Sequence, residues 1–451
     1  MLSLKNKEFY SELFKLSLPI ALGSLVSFSI SLSDNMIISR LGKEAASSVF
    51  LCNQVAFLLT MLISGVEATV LSVASRLIGA GKKDEAKSLS GFGVIFALAI
   101  AIVFFAFSFF SPKLLLSLFT DKKELIENGV PFLRALGVSF LFFAPSQAIA
   151  AAMRSVKKAK IAFIAALSAF GVNLFLNLTL IFGAIGFPRL DILGAGVATL
   201  AARITEFLIL FIYAFFIDKE LKLRPVSLFK IGSRALSLFF KNGIPLILTQ
   251  LVWSVNNFFA TALMGRAPDG VVAGLSAATA LYNLSYVVTA GLSGGLGIIM
   301  GRLFGKGGDS AQQKLLGYSK TAERLSLLLG AFTALFMQGL KLPFLSLWNI
   351  GGASSGFAVG FINVLSFLVI GTAYQSVILN GIIKSRGDVR FILRLEAFSV
   401  FCVIIPVSLL AASLGAPPIL LFAILKCDQI LKCPIARLKL KGIRKKYEFS
   451  T

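Results

Sequence analysis

The chain has 451 residues, 57% of them hydrophobic and only 14% charged, with a formal net charge of +23. Soluble domains carry about 25% charged residues, so a water-soluble fold would leave far too much apolar surface uncovered. Runs such as 92–111 and 316–339 do not alternate as the ~10-residue strands of a membrane barrel must, which leaves helices of ~20 apolar residues crossing ~30 Å of hydrocarbon.

Spans are expected near 13–39, 46–75, 90–111, 125–151, 161–183, 193–217, 238–265, 271–301, 318–340, 356–383, 391–413 and 416–433. The first follows a charged start and runs to full length, so no cleavable signal peptide is expected. With the N-terminus inside, 34 of the 44 Lys and Arg fall on the cytoplasmic side or at cytoplasmic span ends, nine fall on or near the outer side, and Arg203 lies within a span. That asymmetry excludes a nucleic-acid reading of the charge. It predicts a multi-pass inner-membrane protein with both termini cytoplasmic. The basic tail 437–446 is expected against anionic headgroups. Cys52 and Cys402 fall within spans as small apolar residues, and with no histidine in the chain a zinc site is not expected.

The chain repeats itself. Lys15, Pro19, Arg40, Gly65, Arg76, Gly79 and Gly81 recur as Lys241, Pro245, Arg266, Gly291, Arg302, Gly305 and Gly307, each 226 residues on. Six spans per half, both halves starting inside, predict parallel repeats around an axis along the membrane normal. The expected fold class is an all-α integral membrane protein, twelve transmembrane helices in two six-helix lobes. The lobes are 1–222 and 236–451, the second ending in a basic cytoplasmic tail, joined by a cytoplasmic linker, 223–235, within the polar break 218–235. SRLIGAGKKDEA (75–86) and GRLFGKGGDSAQ (301–312) close the second span of each half, their glycines suiting helix ends that need positive φ. Neither completes a phosphate-binding loop.

Asp34 stands out. It lies within the first span, where an uncompensated charge costs ~2.5–3.5 kcal/mol or more. Ser24, Ser27 and Ser31 share its helix face, and the repeat-related residue is Ala260. An acid in one half only suggests a cation site in that lobe; the alternative is an acceptor for neighbouring helices. Glu67 faces Ser293 across the repeat and is either a second proton-carrying acid or the partner of an Arg near the inner surface. Glu206 has Arg203 three residues earlier, so a neutralising pair is its default. The second half offers a stripe of Gln250, Ser254, Asn257 and Thr261, then Tyr282 and Tyr286 one turn apart, and Tyr374, Gln375 and Asn380, with no acid in its membrane core. Ser31, Gln250, Asn257, Tyr282, Tyr286 and Tyr374 are candidate substrate contacts, suited to aromatic cations; helix packing is the alternative.

The phrases LPIALGSLVSFSISLSDNMIISRLG (18–42), SRLIGAG, NLFLNLTLIFG (173–183), GAGVATLAARI (194–204) and GIPLILTQLVWSVNNF (243–258), in this order, resemble the multidrug and toxic compound extrusion (MATE) family over about 13–410. The resemblance implies alternating access and export driven by H⁺ or Na⁺, with no other cofactor. By motif position it supports Asp34 with Asn173, Asn177 and Thr199. Position 177 often holds an aspartate in related members, which makes Glu67 a candidate substitute. Asp34 and Asn173 would be metal ligands only with Na⁺. The chain is expected to be a monomeric antiporter, not an enzyme, that exports a small cationic or amphiphilic molecule among membrane lipids. A lipid-linked oligosaccharide flippase needs a cationic cavity, and Arg203 is the one basic residue placed mid-span. A membrane scaffold or receptor would not explain an acid kept in one half.

Overall fold

The computed structural model describes residues 7–223, 232–267, 270–347 and 353–448, and its regular structure there is helical throughout. Of the expected linker, residues 224–231 lie outside the described ones. Chain order gives α1 (Lys7–Ser39), α2 (Lys43–Gly79), α3 (Lys83–Phe110), α4 (Lys123–Ser155), α5 (Ala159–Leu180) and α6 (Asp191–Ile212). The second half gives α7 (Ser233–Met264), α8 (Val271–Lys306), α9 (Asp309–Leu347), α10 (Ala353–Gln375), α11 (Val389–Ala397), α12 (Pro418–Lys426) and α13 (Asp428–Glu448). Helices α10 and α11 continue through π-helical turns at Ser376–Ile383 and Phe398–Ile404.

Eleven of these helical segments, among the described residues, are long and apolar enough to cross a membrane. The span expected at 416–433 instead breaks at Cys427 between α12, nine residues long, and the charged α13. The repeated glycines behave alike: Gly81 has φ +76° and Gly307 φ +63°, so each closes its helix in the left-handed region.

By contacts the chain divides into two compact units. One, here the N-unit, comprises Leu22–Ile78 and Lys82–Ile247; the other, the C-unit, comprises Met1–Ala21, Gly79–Gly81 and Leu248–Thr451. In the N-unit α4 packs against α3 and α6, and α5 against α6. Its inner face carries Leu133, Ala144, Ala148, Ile149, Ala151, Ala152 and Met153, all buried. Small residues at such positions let helix backbones approach closely where no hydrophobic force separates helix from lipid. In the C-unit α10 is the centre, packed on α8, α9 and α13, with Phe361, Ile362, Leu281 and Phe422 in its core.

The repeat is visible in the packing inside each unit. In the N-unit a Cβ on Gly65 would lie 2.6 Å from Ile247 Cα; in the C-unit a Cβ on Gly291 would lie 2.6 Å from Ala21 Cβ. Ala21 and Ile247 are themselves 226 residues apart. The start of α7 is thus seated on the glycine of α2, and the start of α1 on the glycine of α8. Pro19 and Pro245, inside these two helices, sit two residues before Ala21 and Ile247.

Candidate functional site

Helix α1 carries its polar stripe into the N-unit. Ser27 Oγ donates to the Gly23 carbonyl at 3.0 Å and Ser31 Oγ to the Ser27 carbonyl at 3.3 Å. These hydroxyls are satisfied within their own helix, which leaves the Asp34 carboxylate to neighbouring helices. It meets α5. Asn177 Nδ2 donates to Asp34 Oδ1 at 2.6 Å and to Asn173 Oδ1 at 3.1 Å. Both asparagines are 1% exposed. Their one-turn spacing puts both amides on the face that meets α1, and one amide bridges the other to the carboxylate. Asn173 Nδ2 and Asn177 Oδ1 have no hydrogen-bond partner among the described residues. Asn177 Oδ1 therefore remains a buried acceptor beside Asp34.

Asp34, Ser31, Asn173, Thr199 and Arg203 line one cavity of about 430 Å³, with Phe50, Phe57, Phe132, Phe140 and Phe143 as aromatic walls. Thr199 Oγ1 donates to the Ala195 carbonyl at 2.9 Å. On the same helix, Arg203 Nη1 donates to Glu206 Oε2 at 2.8 Å, and its guanidinium lies 4.6 Å from the Phe143 ring centre. Gln147 Nε2 supplies Glu206 Oε1 at 3.1 Å. Arg203 and Glu206 cancel, so Asp34 is the cavity's unbalanced charge.

Glu67 stands apart from this group. It does not line the cavity, and Arg154 Nη1 holds its Oε1 at 2.6 Å. Of its two readings, substitute for the acid missing at 177 or partner of an Arg, the geometry gives the second. The pair joins positions 87 residues apart, beyond anything helical spacing can signal.

In the C-unit the Tyr282 and Tyr286 rings stack with centres 6.1 Å apart at 16°. Tyr282 donates to Thr372 Oγ1 at 3.3 Å, and Tyr286 OH lies 3.3 Å from Ser376 Oγ. Gln250 accepts the Ser254 hydroxyl at its carbonyl, 2.8 Å away. Asn257 donates to the Trp253 carbonyl and accepts from Lys426 Nζ at 3.4 Å. Tyr374 is committed elsewhere: its hydroxyl donates to Glu323 Oε1 at 3.0 Å, and Arg444 holds the other oxygen of that carboxylate at 2.6 Å.

The expectation of an acid-free core in this half needs correction. Lys432 Nζ lies 2.7 Å from both Glu396 Oε2 and Asp428 Oδ2, and all three residues are buried. A span read as 416–433 put Asp428 and Lys432 at its watery end. Instead α13 packs on α10 and buries the face Asp428, Lys432, Ala436, Leu440. That four-residue spacing, an acid–base pair running into apolar residues, was the available signal.

Membrane-crossing helices, an internal repeat and a polar cavity built around one acid define a membrane transporter. The MatE family model matches residues 19–179 and 245–410. The chain is 24% identical over 322 residues to the probable multidrug resistance protein NorM of Thermotoga maritima, covering 71% of this chain and 68% of that one. It is 23% identical to that of Halalkalibacterium halodurans, over 84% and 83% of the two chains. In fold it resembles a mutant of the Vibrio cholerae MATE transporter VcmN, with TM-score 0.86 at 18% identity over 97% of each chain. A MOP superfamily transporter from Pyrococcus furiosus superposes with TM-score 0.83 at 19% identity, over 97% and 96% of the two chains. This chain belongs to the MatE family.

Proposed function

We propose that the protein is a cation-coupled antiporter that exports organic cations or related amphiphilic compounds by alternating access, with H⁺ or Na⁺ exchanging at Asp34. The halves 1–222 and 236–451 are the moving lobes in this reading. The carrying observation is the Asp34–Asn177–Asn173 group on the wall of an aromatic cavity. A carboxylate oxygen, a spare amide oxygen and the Thr199 hydroxyl are hard oxygen donors, which suit a proton or Na⁺. If Na⁺ is the ion, Asp34 and Asn173 ligate it. Five phenylalanines offer faces to a flat organic cation. Relatives named as probable multidrug resistance proteins support the substrate class. Nothing in this cavity favours an anionic lipid-linked substrate, because the Arg203 charge is answered by Glu206.

The charge asymmetry supports a cytoplasmic-membrane location with both termini inside. Export of ethidium from cells under imposed pH and Na⁺ gradients tests the reading. Asp34→Asn keeps the hydrogen-bonding shape and is expected to abolish gradient-driven export at normal expression. Export at the wild-type rate by that variant would overturn it.

A further inference from the structure

The buried charges of the C-unit play no part in the Asp34 site. Lys432 Nζ lies 2.7 Å from Glu396 Oε2 on α11 and 2.7 Å from Asp428 Oδ2 on its own helix. Glu396, Asp428 and Lys432 are 8%, 1% and 2% exposed. One ammonium faces two carboxylates. The other ionisable groups around Asp428 are Lys426, Cys427, Cys433 and Tyr282. The thiols and the phenol are neutral near pH 7, and Lys426 directs its ammonium to Asn257 Oδ1 at 3.4 Å.

A second observation comes from the oxygens themselves. Asp428 Oδ2 accepts from Lys432 and, at 3.1 Å, from Gln429 Nε2. Asp428 Oδ1 is buried and has no partner among the described residues. An anionic oxygen with no donor in apolar surroundings is costly, and a proton or a small metal cation removes that cost. From Asp428 a hydrogen-bonded chain leads inward. Gln429 Oε1 accepts from Gln375 and, at 3.1 Å, from Thr372, and Thr372 Oγ1 accepts from Tyr282.

We propose that Glu396 and Asp428, braced by Lys432, form a second monovalent-cation site, in the C-unit, taking H⁺ or Na⁺. Its occupancy reaches the stacked Tyr282–Tyr286 pair through Gln429 and Thr372, because neutralising Asp428 changes what the Gln429 amide donates to. Only this last link rests on the export reading, in which the tyrosines contact substrate.

The test uses the full chain carrying Asp34→Asn in lipid nanodiscs, so that the N-unit carboxylate is silent and no export is read. One arm measures binding of radioactive Na⁺ at constant pH. The other follows the infrared carbonyl band of a protonating carboxyl on acidification. The expected result is one bound Na⁺ per protein, or one such band, lost on adding Asp428→Asn and lost or shifted on adding Glu396→Gln. Should Asp428→Asn not fold, Glu396→Gln decides. No signal in either arm, or a signal unchanged by the substitutions that fold, would overturn the site. Failure of Asp34→Asn to affect export would bear on the proposed function alone.

Discussion

Asn177→Asp is the sharpest probe of the N-unit site. It places a carboxylate oxygen where Nδ2 now lies 2.6 Å from Asp34 Oδ1. Two unit charges at that separation repel by about 6 kcal/mol at an effective dielectric constant of about 20. The substitution also removes a hydrogen bond to a charged acceptor, worth about 1.5–3 kcal/mol. Together these forbid two bare carboxylates: the pair must share a proton or recruit a metal cation. Even a quarter of the repulsion relieved by Na⁺ would correspond to about tenfold in affinity. The expected outcome is at least a tenfold gain in Na⁺ affinity by radioligand binding in nanodiscs, lost again when Asp34→Asn is added. A folded Asn177→Asp variant that binds Na⁺ as the unmodified protein does, at every pH tested, would refute the contact on which the reasoning stands.

Glu67→Gln strips a half-buried Arg154 of its counter-charge and is expected to cost about 1–2 kcal/mol, read as a lower Tm in detergent, with an unshifted pH profile of export in proteoliposomes. Gly65→Leu and Gly291→Leu each drive a side chain into a neighbouring helix start at 2.6 Å; each should cost about 3 kcal/mol or more and show as loss of monodisperse protein on size exclusion. Tyr374→Phe removes one hydrogen bond to Glu323, with a loss of about 0.5–1.5 kcal/mol in thermal unfolding and little change in ethidium export.

Much of the fold was legible because a membrane imposes length and hydrophobicity on every span, and because duplication printed the packing glycines twice. Gly65 and Gly291 recur in sequence and meet Ile247 and Ala21 in equivalent contacts. Asp34 was legible as an isolated charge on a serine stripe. Asn173 and Asn177 needed the family resemblance, since two amides on an apolar helix carry no mark of what they face. The Glu67–Arg154 pair was illegible in principle: both ends are ordinary charges near helix ends, and only tertiary packing joins them. Asp428 and Lys432 were misplaced for a different reason. Hydropathy reads a charged helix as lying outside the core, whereas three charges that largely cancel can be buried together.

The seating of each half's first helix on the other half's glycine has a consequence for biogenesis. Residues 1–21 belong to the C-unit, and residues up to 247 belong to the N-unit. During synthesis the first 21 residues emerge long before α8 exists to receive them, while the N-unit lacks its last helical segment until translation has passed Ile247. The nascent first half must therefore wait in the bilayer with the Gly65 surface uncovered, open to any small-residue helix nearby. A ribosome pause or truncation in the linker region leaves a six-span fragment with a vacant seat and a surplus helix start, a natural substrate for membrane quality control. Supplying the second half as a separate chain would offer that fragment its missing segment.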